Sequence, residues 1–186
     1  MRHAFVTACL AAFVCLAGPA ATSAQTAVEN PTYVSIAMEI DVNRPAKEVW
    51  DTIGGYCDIG AWFQMDCRII AGTDNEFGAV RSVANEVLVG RTEMSYTYTQ
   101  PVREGTPYNL YHGTLEARPV TEKTSKILYT LVFDNSMLAS DEARAQDMER
   151  RRATFTQALQ NMKILAEGGT LPPRAPRGGG RGGRGN

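Results

Sequence analysis

The chain has 186 residues, 44% of them hydrophobic and 21% charged, with 19 Lys and Arg against 20 Asp and Glu, a formal net charge of −1. That composition describes an ordinary globular protein of one domain, large enough to bury about two thirds of its unfolded surface without a structural metal or a dense disulfide network. There are two histidines, His3 and His112. If the first segment is removed on export, as argued next, sites that need two or more histidines are excluded.

Residues 1–24 have a positive start at Arg2, an apolar run from Ala4 to Leu16 and small residues ending in Thr22-Ser23-Ala24, the pattern of a secretory signal peptide cleaved near Ala24. The run is short of the roughly 20 apolar residues of a spanning helix. Residues 25–31 then form a linker to a folded body over 32–167. Cys9 and Cys15 leave with the leader, so the mature chain keeps Cys57 and Cys67, which in an oxidising compartment predict one disulfide. A redox or ligand-reactive role for the two thiols is the sharper alternative, but the spacing is not C-x-x-C.

Val34, Ile36, Met38, Ile40 and Val42 alternate with polar or small residues, which predicts a half-buried strand over Tyr33–Val42. Asn43-Arg44-Pro45 ends it and starts a helix with Ala46, Val49, Trp50 and Ile53 at helical spacing, stopped by Gly54-Gly55. After the cysteine loop come extended segments over Cys67–Ala71, Gly78–Ala84, Glu86–Arg91, Met94–Gln100, Tyr108–Ala117 and Ile127–Phe133. So many close-set strands predict an antiparallel meander. Ser140 caps a long helix with Asp141 and Glu142 in its first turn and an apolar stripe of Met148, Phe155, Leu159, Met162 and Ala166. One antiparallel sheet must cover that stripe, giving an α+β domain.

Residues 168–186 form a Gly-, Arg- and Pro-rich tail with four Arg and no acid, a disordered composition. Setting aside Arg2 and these four leaves 14 basic residues against 20 acidic ones, so the body is acidic and the tail basic. Arg-Gly-Gly repeats point to RNA in a cytosolic chain. For an exported chain no nucleic acid is expected, and weak contact with an anionic envelope surface is the alternative to a tail with no dedicated partner.

The Tyr33–Asp41 strand, Arg44-Pro45-Ala46-x-x-Val49-Trp50-x-x-Ile53, Gly78-Ala79-Val80-Arg81, Tyr96-x-Tyr98 and the final helix together resemble the START-like, or SRPBCC, superfamily of the polyketide cyclase/dehydrase type. Gly55-Tyr56-Cys57-x-Ile59-x-x-Trp62 followed by Cys67 resembles an exported bacterial subgroup with a disulfide at this place. That subgroup commonly has a His-Pro pair after the Trp, where this chain has Phe63-Gln64, so a role for that histidine is ruled out. The resemblance implies a helix-grip fold: a seven-stranded antiparallel sheet wrapped around the C-terminal helix, with two short helices after the first strand. It also implies an apolar cavity between sheet and helix that takes a lipid, sterol, aromatic or polyketide-like molecule. The fold serves binders and enzymes alike.

Tyrosines are the polar residues best placed for such a cavity: Tyr96 and Tyr98 share a strand face, Tyr111 shares one with Gly113 and Leu115, and Tyr129 one with Ile127, Leu131 and Phe133. Each can hydrogen-bond a ligand while its ring packs on it, or simply fill half-buried sheet. Glu86 and Asp66 are the candidate acid or base, since a carboxyl in an apolar pocket has its pKa raised. Arg151, bordering the helix stripe, is the candidate contact to an anionic group, its alternative being a solvated arginine whose stem covers apolar surface. His112 lies on the face opposite Tyr111, and neither a nucleophile elbow nor a phosphate-binding glycine loop is present. No cofactor or metal is implied. The leading expectation is therefore a non-catalytic binder of a hydrophobic small molecule. Its rivals are a cofactor-free cyclase, dehydratase or lyase using Tyr and a carboxylate, and an interaction protein serving envelope assembly.

Overall fold

A computed structural model of the chain describes residues 30–103 and 105–173, with residue 28. The expected leader and all of the tail beyond residue 173 lie outside the described residues. Strand β1, Tyr33–Val42, is followed by α1, Ala46–Ile53, and α2, Ile59–Phe63. Then come β2, Ile69–Ala71, β3, Val80–Arg81, β4, Glu86–Arg91, β5, Ser95–Thr99, β6, Asn109–Pro119, β7, Ser125–Asp134, and α3, Asp141–Ala166. The seven strands form one sheet in the order β1-β7-β6-β5-β4-β3-β2. Every neighbouring pair is antiparallel. The architecture is the α+β helix-grip fold, with α3 against β1 and β7 and the two short helices packed on α3.

The alternation read from the sequence decides which side of the sheet is covered. Ile36, Met38 and Val42 are buried on β1, while Ser35, Ala37 and Glu39 are exposed. Pro45 precedes the first turn of α1, where no amide donor is needed, and Ala46, Val49, Trp50 and Ile53 are the residues the helix buries. In α3 the Ser140 hydroxyl accepts from the Ala143 amide at 3.2 Å, satisfying an orphan donor of the first turn. Its stripe is buried toward the C-terminal end, at Ala158, Leu159, Met162 and Ala166, but only half-buried at Met148 and Phe155. The helix therefore stands off the sheet near its middle, and a cavity lies there.

Three strands are shorter than the sequence predicts, β5 by one residue at each end. The Gly78–Ala84 segment contributes only Val80–Arg81 to the sheet, because Ala84 and Asn85 adopt left-handed φ angles of 52° and 55° and reverse the chain. The Glu86 amide closes that turn on the Val83 carbonyl at 3.0 Å. Likewise Cys67–Ala71 is strand only from Ile69. Asn85 suits a left-handed position but Ala84 does not, so the composition signals only half of this turn.

Cys57 and Cys67 are joined, with Cα atoms 5.5 Å apart and ten residues of separation. The bridge closes the loop that carries α2. Constraining a loop of this size is worth on the order of 3 kcal/mol, so reduction should lower the melting temperature. Thiol counting on unfolded, unreduced mature protein should find no free thiol, and two labelled cysteines would contradict the bridge.

Candidate functional site

The tight β3–β4 turn sets Arg81 opposite Glu86 in the sheet register. Both side chains are turned into the protein, Arg81 with no exposure and Glu86 with 3%. Isolated buried charges are prohibitive, so each must be matched. Arg81 Nε donates to Glu86 Oε2 at 2.6 Å, and Nη2 stands 2.5 Å from the same oxygen. Nη1 donates to the Tyr56 carbonyl at 2.6 Å. The guanidinium also lies 4.4 Å and 4.7 Å from the ring centroids of Tyr56 and Tyr98, where the negative faces of the rings favour a cation.

The other Glu86 oxygen, Oε1, accepts from Gln100 Nε2 at 2.8 Å, and the Tyr108 hydroxyl donates to Gln100 Oε1 at 2.7 Å. Beside this chain Tyr98 and Tyr129 join their hydroxyls at 2.9 Å. Burial pushes the Glu86 carboxyl above the usual carboxylate range, against the opposing pull of Arg81 and Gln100.

Above these groups is a cavity of about 320 Å³. Ile59, Phe63 and Met65 of the disulfide loop, Val83 and Ala84 of the turn, and Phe155 of α3 form its apolar wall. Glu86, Tyr98, Gln100, Tyr111 and Thr154 are the polar groups that reach it. This is the common design of a small-molecule site, apolar walls with a few placed hydrogen-bonding groups.

Of the residues singled out in the sequence, Glu86, Tyr98 and Tyr111 line this cavity. Tyr96 and Tyr129 are buried behind it, at 2% and 0% exposure. Asp66 is exposed and outside the lining, which at that point is Met65. Gln64, in a left-handed conformation with φ 50°, ends α2 and turns the chain outward between Phe63 and Asp66. Arg151 lies in a neighbouring hollow. His112 is half-buried, its Nδ1 2.8 Å from the Leu110 carbonyl oxygen. Arg81 and Gln100 were missed as site residues. An Arg five positions before a Glu across a short hairpin was the available signal for the first, and no signal marked the second.

The phenols carry a pH consequence. Burial raises the pKa of Tyr56, Tyr96, Tyr98, Tyr111 and Tyr129. Below the ordinary value of about 10 the phenols are protonated in folded and unfolded chains alike, so their stabilisation is fully present. As pH rises past that value the unfolded chain loses protons that the native phenols keep, and stability falls. Phenolate absorbance should therefore appear mainly together with loss of circular dichroism. Complete ionisation of all seven tyrosines with the native spectrum intact would contradict their burial.

No family model and no curated protein matches the sequence. Solved structures do match. A protein of Thermobifida fusca is 22% identical with a TM-score of 0.60, over 74% of this chain and 97% of that one. The Zhui aromatase/cyclase of Streptomyces sp. R1128 is 15% identical with a TM-score of 0.53, over 75% and 100%. Truncated norcoclaurine synthase of Thalictrum flavum is 11% identical with a TM-score of 0.52, over 75% and 97%. At such identities the likeness is one of architecture: this chain has the α+β helix-grip fold that an aromatase/cyclase and a norcoclaurine synthase also have.

Proposed function

We propose that the chain is an exported, single-domain member of the START-like superfamily that holds one hydrophobic small molecule between its sheet and α3. Residues 32–167 form the binding domain, 1–24 the leader, 25–31 a linker and 168–186 a basic tail. The observation that carries this reading is the cavity of about 320 Å³, walled by Phe63, Met65 and Phe155 and lined also by Tyr98 and Tyr111. The Cys57–Cys67 bridge supports export, since disulfides persist in oxidising compartments. Among the described residues no helix is long and apolar enough to cross a membrane.

Glu86 supports a second reading, an acid–base cyclase, dehydratase or lyase acting on an aromatic or polyketide-like substrate, because its carboxyl reaches the cavity with a raised pKa. Binding is favoured over catalysis because both Glu86 oxygens are already engaged, one by Arg81 and the other by Gln100. Oε1 keeps a lone pair for a proton, but the ion pair with Arg81 favours the charged carboxylate and so weakens it as a base. Native mass spectrometry of protein purified from its own periplasm tests both. A co-purifying organic molecule recovered unchanged after incubation supports the binder, its conversion supports the enzyme, and an empty protein that takes up no apolar probe contradicts both.

A further inference from the structure

A second hollow, of about 300 Å³, opens beside the cavity. Thr154 and the half-buried Phe155 line both spaces, so the two adjoin at these residues. The outer hollow is bordered by Asp147, Arg150 and Arg151. Arg150 and Arg151 share the one carboxylate of Asp147, whose side chain is 3% exposed, and Arg151 Nε donates to its Oδ2 at 2.7 Å. Two guanidinium groups on one carboxylate leave this mouth with one positive charge in excess.

The Arg151 head is held firmly. It lies 4.5 Å, 4.6 Å and 5.3 Å from the ring centroids of Phe133, Tyr108 and Tyr111, and Tyr111 also walls the inner cavity. Among the described residues its only hydrogen bond is through Nε, so both terminal amino groups keep donors to offer. The Arg151 side chain is 16% exposed and that of Arg150 68%. A planar fork fixed on aromatic faces, with donors left over, is the arrangement that takes a carboxylate in two parallel bonds. At the inner end the Glu86 carboxylate is already matched by Arg81, so that end offers an anion no excess positive charge.

On the reading that the cavity binds a hydrophobic molecule, we propose that its ligand is an apolar carboxylic acid, bound with its carboxylate at Arg150 and Arg151 and its body passing Phe155 into the cavity. At about 320 Å³ the inner space lies at the small end of ligand pockets. That fits a medium-chain or small aromatic acid, and a two-chain phospholipid is too large.

Calorimetric titration of the mature protein with decanoic acid and with 1-decanol separates this proposal from the reading beneath it. The acid should bind about tenfold more tightly, and added salt should shrink that advantage while leaving the alcohol unchanged. Arg150→Gln, which leaves the Arg151–Asp147 pair in place, should remove most of the advantage, and Arg150→Glu should abolish it, with decanol affinity preserved in both. Equal affinity for acid and alcohol in wild type overturns the carboxylate proposal and leaves the hydrophobic site standing. An advantage for the acid that survives both Arg150 variants and high salt overturns the assignment to these arginines. If neither probe binds, the cavity is not a ligand site and both readings fall. The wild-type comparison and its salt dependence require no variant to fold.

Discussion

Replacing Glu86 by Gln is expected to destabilise the protein by about 3–5 kcal/mol, the range for breaking one side of a buried ion pair. Gln keeps the shape of the side chain and can still accept a hydrogen bond, so the loss is one of charge. Arg81 has no exposure to water, and the nearby rings of Tyr56 and Tyr98 compensate it only in part. Arg81→Met should be comparably damaging, since it leaves the Glu86 carboxylate on Gln100 alone. The double variant Arg81→Met/Glu86→Leu removes both charges and should recover most of the loss. Urea denaturation of the four proteins measures the coupling directly. A silent Glu86→Gln would show that the carboxyl is already protonated in the native protein, the direction in which burial moves it, and would strengthen the enzyme reading.

The same geometry corrects a test that the sequence alone makes attractive. Read from the strand pattern, Glu86→Gln is a clean removal of a proton-transfer group. In the structure Glu86 is the counter-ion of Arg81, so lost turnover in that variant is uninterpretable without its stability. Tyr98→Phe is the better probe of catalysis or binding: on a residue that lines the cavity it removes a hydroxyl and one bond to Tyr129 but no charge.

What was legible in the sequence is what local periodicity controls. The parity of Ile36, Met38 and Val42, the spacing of Val49, Trp50 and Ile53, and the shared face of Tyr96 and Tyr98 each follow from neighbours at most four residues apart, and these residues are buried. The resemblance then supplied the order in which sheet and helix meet. What escaped depends on partners brought close by turns. Arg81 sits in a short apolar segment and is burial-competent only because the Ala84–Asn85 reversal returns Glu86 to it. Gln100 matters because its amide nitrogen donates to Glu86 while the hydroxyl of Tyr108, eight residues on, holds its amide oxygen. Asp66 misleads for the converse reason: its place next to Cys67 indicates proximity to the cavity, yet the left-handed Gln64 turns the chain so that Met65 lines it.

Gly113→Ala should cost about 2–4 kcal/mol and narrow the cavity, the second large effect expected. Gly113 pairs directly with Tyr98 across β5 and β6. A Cβ built there would lie 2.4 Å from the Tyr98 hydroxyl oxygen and from the ring carbon bearing it, far inside contact distance. The glycine is needed for the space the phenol fills, since its backbone is ordinary strand. With a methyl group present the ring must swing away, losing its 2.9 Å bond to the Tyr129 hydroxyl and disturbing the face it offers Arg81. Overpacking accounts for about 1–3 kcal/mol of this and the broken hydrogen bond for about 0.5–1.5. Tyr98 lines the cavity, so the displaced ring moves into ligand space and affinity for any apolar probe should fall with stability. Removing the ring removes the conflict: in a Tyr98→Leu background the added methyl should be nearly neutral. Additive losses in Gly113→Ala/Tyr98→Leu would mean that the two residues do not compete for the same space, and the proposed wall of the cavity would be wrong at this point.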